Sequence, residues 1–293
     1  MKVFVTGATG YIGFSVAKAF RSRGHVVKGL VRGKDKSHHV AKEEIVPVLG
    51  DMEHPDEWLS SVSDCDVFIH TGFDMSGEGI EIDKKTLEAL KQIVKPQNRL
   101  IYTSGIWVYG NTSEPVGEEV PLNPLHIVSW RPKHEELALQ APCRVNIIRP
   151  ACVYGRAGGL TELWFKSARE DRLVRVGEGV NHWALVHVDD LASGYLLTAE
   201  KGGDKEIYHF GDNSSYTVRE MTEAIQRLTG DYQIVDLPFE EAQAEYGALA
   251  AGLAADQRIS SAKAKNQLGW EPKHPHFLDD LKTYYEAWRT ARL

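Results

Sequence analysis

Two groups of residues have the types and spacing for chemistry. The first is "TGATGYIG", in which Gly7, Gly10 and Gly13 stand three apart between a β-branched run and an amphipathic one. A strand, a glycine turn and a helix start in that order suit a dinucleotide diphosphate. One glycine makes the tight turn, one lets the backbone approach the phosphates, and one lets helix and strand pack closely. The free N–H groups of the helix start then meet the charge. The following strand ends in "LVRGKDKS" rather than in an acid. NAD sites favour a carboxylate there for the ribose hydroxyls, whereas Arg32, with Lys34 and Lys36 behind it, offers donors to a 2′-phosphate and points to NADP(H). Lys34 and Lys36 read equally as solvated loop cations. Asp51 in "LGDM" has two readings, an acceptor for the adenine amino group or an N-cap-like turn residue. The second group is "SWRPK", which sets Lys133 one helical turn after Ser129.

The bulk of the chain narrows what these residues can serve. With 42% hydrophobic and 26% charged residues among 293, the composition is that of a globular protein with a sizeable core. A net charge of −7 and the lack of any basic cluster outweighing its acidic neighbours argue against nucleic acid as a partner. Cys65, Cys143 and Cys152 form no CxxC pair and no metal-ligand spacing, so free thiols in a reducing compartment are expected. "MKVFVTGATG" runs three apolar residues before a polar turn, and no apolar run approaches the roughly 18 needed to cross a bilayer. No leader, no membrane partner and a cytoplasmic address are therefore expected.

The elements that must position these residues alternate in the first half. "KVFVTG", "HVVKGLVR", "EIVPVLGD", "CDVFIHTG", "RLIYTSG" and "CRVNIIRP" read as strands one to six. "YIGFSVAKAFRSRG" reads as a helix with Ile12, Val16, Ala19 and Phe20 on one face, stopped by Gly24. This rhythm predicts a Rossmann-type α/β fold, a doubly wound parallel sheet. After Pro150 the pattern changes. "GLTELWFKSARE", "YTVREMTEAIQRLTG", "EEAQAEYGALAAGLAAD", "SAKAKNQLGW" and "HFLDDLKTYYEAWRTARL" read as helices, with "YQIVDLP" a short strand among them and Gly269 a C′ residue. "EIYHFGD" reads as a further strand of the first sheet. The expected organisation is a nucleotide-binding core over 1–155, to which 184–213 returns, and a smaller mixed α/β substrate lobe over 156–293.

With "TGATGYIG", "LVR", "GDM", "YTSGIWVYG", Lys133, "RPACVYG" and "HVDDLASG" in order, the chain resembles the short-chain dehydrogenase/reductase superfamily over essentially its whole length. The likeness is closest to the extended branch of epimerases, dehydratases and reductases. It implies a Rossmann core, a small C-terminal substrate lobe, nicotinamide chemistry and, by resemblance alone, homodimers. It also implies that Lys133 bonds the nicotinamide ribose and lowers the pKa of a tyrosine four residues earlier, which passes a proton to or from the substrate oxygen. The expected coenzyme contacts are Gly7, Thr9, Gly10, Tyr11, Ile12, Gly13, Arg32, Lys36, Asp51, Met52, Thr71, Gly72, Thr103, Lys133, Pro150 and Val153.

Two positions depart from the pattern. Ser129 stands where the tyrosine belongs, and its favoured reading is an N-cap for "WRPKHEELAL", with catalysis second. The second active-site hydroxyl falls on Gly105; Thr103 and Ser104 are its neighbours, and only one of them can face the cofactor from a strand. Tyr109 in "WVYG", ahead of Tyr154 in "ACVYG", is the candidate substitute phenol. The expected catalytic set is thus Lys133, Ser104, Tyr109 and Ser129. Trp107, Trp130, Trp164 and Trp183 suit either an apolar substrate pocket or the core. Asp189 and Asp190 read as helix N-capping, and the pairs His38–His39 and His274–His276 lack a third ligand, so no metal is expected. The function these features predict is an NADPH-dependent reductase of a carbonyl-type small molecule. Its proton donor would be non-standard: the substrate's own hydroxyl, a water or Tyr109. A sugar-nucleotide epimerase or dehydratase and a nonenzymatic NADP(H)-binding redox sensor are the alternatives.

Overall fold

The computed structural model describes residues 1–230 and 233–292. The first half runs β1 (Lys2–Thr6), α1 (Tyr11–Ser22), β2 (Val26–Val31), α2 (Lys34–Ala41), β3 (Val46–Leu49), β4 (Val67–His70), α3 (Gly79–Ile93), β5 (Arg99–Thr103), α4 (Arg131–Leu139) and β6 (Arg144–Pro150). The second half runs β7 (Cys152–Gly155), β8 (Gly158–Gly159), α5 (Glu162–Arg169), β9 (Arg172–Val176), β10 (Leu185–His187), α6 (Val188–Lys201), β11 (Glu206–Phe210), α7 (Val218–Thr229), β12 (Gln233–Leu237), α8 (Phe239–Tyr246), α9 (Leu249–Ala254), α10 (Ala262–Leu268) and α11 (Leu281–Ala291).

Seven strands form one sheet in the order β11-β6-β5-β4-β1-β2-β3, with every pairing parallel. Alternate side chains of each strand serve opposite faces. Val3 and Val5 of β1, with Ile69 and Ile101, join Val16 and Phe20 of α1 and Leu191 and Tyr195 of α6. Phe4, Phe68, Leu100 and Tyr102 join Leu87 and Leu90 of α3 and Ala138 of α4. Strand order reverses between β1 and β4, which leaves a crevice beyond their C-terminal ends where such sheets bind ligands. A third apolar cluster, including Tyr154, Trp164, Trp183, Met221, Phe277 and Trp288, makes the C-terminal half.

The returning segment divides: β11 joins the large sheet beside β6, while β10 pairs with β7 in a small three-stranded sheet. Further strands and helices that the hydropathy reading lacks are β7 to β10, α2 and α3. The alanine-rich segment is two helices, broken at Gly247 with φ 57°. The last helix begins only at Leu281, and Gly269 ends α10 in the left-handed conformation expected of a C′ glycine. Tyr232 and Leu293, read into the strand and the final helix, lie outside the described residues. No described helix is long and apolar enough to cross a membrane.

A buried polar group ties α3 and α4 to the sheet. Asp83 of α3 accepts from Tyr102 Oη at 3.0 Å and lies 2.6 Å from His134 Nδ1 and 3.3 Å from His70 Nε2. Burial disfavours its charge, yet hydrogen bonds from His134 and His70 hold its carboxyl well below the ordinary range. Removing one member of such a group strands the others without partners. We expect Asp83→Asn to lower unfolding stability by about 3 kcal/mol, read as a reduced urea midpoint.

Candidate active site

The glycine turn shapes a cleft of about 470 Å³ at the crevice. Gly7 has φ +66°, and a Cβ added there would lie 2.6 Å from Gly72 Cα. One added at Gly13 would lie 2.2 Å from Gly7 O and 2.5 Å from Thr71 Oγ1. Thr71 Oγ1 donates to Thr6 O at 2.6 Å and Gly72 N donates to Thr6 Oγ1 at 3.2 Å, so the ends of β1 and β4 are stitched together at contact distance. Helix α1 then starts at Gly10 with no side-chain cap. Its first N–H groups are left for a ligand, and a diphosphate fits that donor set.

Of the expected coenzyme residues, Gly7, Thr9, Gly10, Tyr11, Ile12, Gly13, Arg32, Asp51, Met52, Thr71 and Gly72 line this cleft. Leu30, Gly50, Phe73, Asp74 and Met75 line it as well. The stretch "TGFDM" after β4 was the signal for the last three, since the exit of a strand beside β1 must border the crevice. Lys36 is exposed in α2 and does not line the cleft, nor do Pro150, which is buried at the end of β6, and Val153 in β7. Asp51 lines the cleft; its Oδ1 accepts from Glu53 N at 3.1 Å, as a turn residue does, and its Oδ2 lies 3.7 Å from Arg32 Nη1.

The residues expected to be catalytic are not gathered at one place. On β5, Thr103 Oγ1 is 2.6 Å from Tyr195 Oη of α6, so its side chain serves the opposite face, and Thr103 does not line the cleft. Ser104 is 5% exposed and its hydroxyl has no partner. Ser129 is exposed and caps no helix: α4 has Trp130 in helical conformation at its N-cap position, without a side-chain bond. Lys133 is not brought to the strand ends. The buried stripe of α4 is formed by His134, Glu135 and Ala138, and at 100° per residue Lys133 projects about 150° away from the side that this stripe shares with Arg131. The cation placed at the strand ends is Arg131, which the sequence reading missed. Its Nη1 donates to Thr103 O at 3.0 Å, and its guanidinium carbon lies 4.5 Å from the Trp130 ring centre and 5.6 Å from that of Phe73. Those two rings stack at 5.2 Å, which joins Arg131 to a wall of the cleft.

Neither substitute phenol is free. Tyr109 is 3% exposed; its hydroxyl accepts from Arg149 Nη1 and sits 2.7 Å from His209 Nε2. Arg149 is clamped in turn by Glu135, with Nε donating at 3.0 Å. Burial pushes the Tyr109 phenol up to about 12. Tyr154 Oη donates to His274 O inside the C-terminal cluster. Trp164 and Trp183 stack at 4.5 Å in that same cluster, and Trp107 packs against Gly252. The helix expected to be capped by Asp189 and Asp190 is capped by His187 instead, whose Nδ1 accepts from Asp189 N at 3.2 Å; both acids stand inside its first turn. Asp189 pairs with Arg156, and Asp190 accepts from His274 N at 2.8 Å. Among the described residues, His187, Asp189 and His274 bring ligand-type atoms within 4.8 Å of one another. The two imidazoles stack at 3.9 Å, so the neighbours of His274 are His187 and Asp189 and not the His276 with which the sequence pairs it.

The description "NAD dependent epimerase/dehydratase family" fits a family model that matches residues 3–211. The chain belongs to that family. It is 28% identical over 291 residues to an uncharacterised protein of Schizosaccharomyces pombe, covering 96% of this chain and 98% of that one. It is 25% identical to a 4-hydroxy-2-methyl-3-oxo-4-farnesyl-3,4-dihydroquinoline-1-oxide ketoreductase of Stigmatella aurantiaca, over 83% of this chain and 78% of the other. The crystal structure of a human epimerase family protein with NADPH superposes with a TM-score of 0.79 at 20% identity, covering 98% of this chain and 99% of that one, a likeness of fold. Family members are NAD(P)-binding enzymes of oxidoreductase type, and in this member the two candidate phenols, Tyr109 and Tyr154, are both hydrogen-bonded.

The Tyr109 cluster makes stability depend on pH. Burial, then the charge of Arg149, pushes His209 down to about 3. In the unfolded chain it titrates near 6.5, so on acidification the unfolded state gains a proton that the folded state refuses, and stability declines from about pH 6.5 toward pH 3. Between pH 7.5 and 5.0 this residue is expected to remove about 2 kcal/mol. Urea unfolding of His209→Gln at those two pH values should show a decline smaller by that amount.

Proposed function

We propose that the chain is an NADPH-dependent reductase of a carbonyl-type small molecule, with Arg131 doing from α4 what the resemblance assigns to Lys133. The observation that carries the reading is the Arg131 guanidinium held on Thr103 O at the end of β5, with the next residue, Ser104, carrying a buried, unpartnered hydroxyl, and with Tyr109 and Tyr154 both hydrogen-bonded elsewhere.

A bound nicotinamide coenzyme would supply hydride to the substrate carbon. The uncapped start of α1 would hold its diphosphate, Arg32 its 2′-phosphate, and Asp51 its adenine. Arg131 offers donors to the nicotinamide ribose and to negative charge growing on a substrate oxygen, and Ser104 offers a further donor to that oxygen. An arginine does not release its proton near neutral pH, so the product oxygen takes its proton from water or from the substrate's own hydroxyl. Reduction tolerates this, because the alkoxide left after hydride arrival is a strong base. Epimerisation and dehydration begin instead by removing a proton from a hydroxyl, which needs a base poised near neutrality. Tyr109 is pushed up to about 12 and Tyr154 higher still, both by burial, and neither register of α4 supplies a tyrosine: four residues before Lys133 is Ser129, and four before Arg131 is Ile127. The ketoreductase among the relatives supports the same reaction class, and the apolar C-terminal cluster is the part of the chain we assign to the substrate side.

The test is oxidation of NADPH by a panel of aldehydes, ketones and quinones; no turnover with any of them removes the reading. With an accepted substrate, Arg131→Ala should lower kcat/KM by on the order of 100-fold. Arg131→Lys should recover part of that loss, and Lys133→Ala should stay within about twofold of the parent.

A further inference from the structure

We infer that Asp74 sets the coenzyme preference of this chain by competing with the 2′-phosphate of NADP(H) for Arg32. The inference rests on the proposed nicotinamide-coenzyme site and adds to it a residue outside the segment that follows β2.

Arg32 follows β2 and Asp74 follows β4, and β1 lies between those strands. Neighbouring strands are about 4.8 Å apart, so the two residues start roughly 10 Å from each other, across the exit of β1. Their side chains nevertheless meet, with Arg32 Nη1 donating to Asp74 Oδ2 at 3.2 Å. The contact therefore crosses the mouth of the cleft above the glycine turn, and both residues line it.

The two partners are held differently. Arg32 has 69% of its side chain exposed, whereas Asp74 has 18%. The other carboxylate oxygen of Asp74, Oδ1, accepts from Ser76 N at 2.8 Å, which aims Oδ2 at the guanidinium. Hydrogen bonds from Ser76 and the charge of Arg32 keep this carboxyl below its ordinary range, so it is ionised wherever the coenzyme would bind. With Asp51 Oδ2 at 3.7 Å, one arginine faces two carboxylates, and the trio carries one net negative charge.

A ribose 2′-hydroxyl enters such a place at little cost, since it is neutral and can donate to a carboxylate. A phosphate monoester carries about −1.5 to −2 near pH 7 and can donate almost nothing. To reach Arg32 it must replace Asp74 and then remain beside it. Exposed ion pairs are weak, so the competition is worth a modest factor rather than an absolute block.

The experiment is calorimetric binding of NADP+ and of NAD+ to the full chain, with Asp74→Asn beside the parent. Asparagine keeps the turn to Ser76 and removes the charge. NADP+ should bind on the order of five- to tenfold more tightly to the variant, with NAD+ changed less than twofold, and raising the salt concentration should shrink the difference. In an Arg32→Ala background the same substitution should shift the NADP+/NAD+ ratio by less than it does in the parent, since only the direct repulsion by Asp74 is then relieved. Should Asp74→Asn not fold, Asp74→Ser, which also keeps a short polar turn residue, replaces it. Equal shifts for both coenzymes, or none, overturn the inference while leaving the coenzyme site standing. Failure of the parent to take up either coenzyme overturns both.

Discussion

Where β1 leaves the sheet, the exit of β4 passes so close that no side chain fits between them. Gly7 meets Gly72 backbone to backbone, Gly13 presses helix α1 onto the carbonyl of Gly7, and Thr6 and Thr71 bind the two strand ends by hydrogen bonds. This apposition fixes three things together. It places the uncapped start of α1 at the strand ends, sets the width of the cleft, and brings the residues after β4 within reach of those after β2. A methyl group at Gly7 or Gly13 would separate all three.

The position of Arg131 depends on a second constraint, the rotation of α4 about its axis. His134 and Glu135 are charged or polar, and each is buried against a partner on another element, Asp83 for the first and Arg149 for the second. A turn of the helix by one residue would break both pairs at once, and buried polar groups left unpaired cost far more than exposed ones gain. The helix is therefore locked, and the residue that its rotation delivers to the strand ends is Arg131. The same locking engages Tyr109, whose hydroxyl completes the shell of Arg149.

Much of the fold was legible in the sequence because its signals are local. β-Branched runs broken at regular intervals gave strands one to six near their observed places, and Gly269 ended its helix where a C′ glycine should. The short strands β7 to β10 were not legible. β10 pairs with β7 and β9 with β12, partners far along the chain, and β8 is a two-residue glycine stretch folded back on β7, so none of them carries a periodic signal of its own. Capping followed the same division. Ser129, Asp189 and Asp190 are good capping types, but the chain enters α4 through a 3₁₀ turn and α6 through His187, so the cap positions fall on other residues.

By itself the sequence determined the phosphate cradle, for glycines at that spacing between strand and helix dictate a backbone shape, and a cradle for phosphate is made of backbone. It determined as well that Arg32 follows the second strand and that no tyrosine stands four residues before Lys133. Only the tertiary structure decided that Arg131 rather than Lys133 faces the strand ends, that Ser104 rather than Thr103 keeps an unpartnered hydroxyl, and that Asp74 reaches Arg32 across the glycine turn. The physical reason is common to all three. Which way a side chain points depends on the rotation of a helix, the face of a strand or the order of strands in a sheet. Those are fixed by contacts between segments far apart in the chain, which residue spacing does not carry.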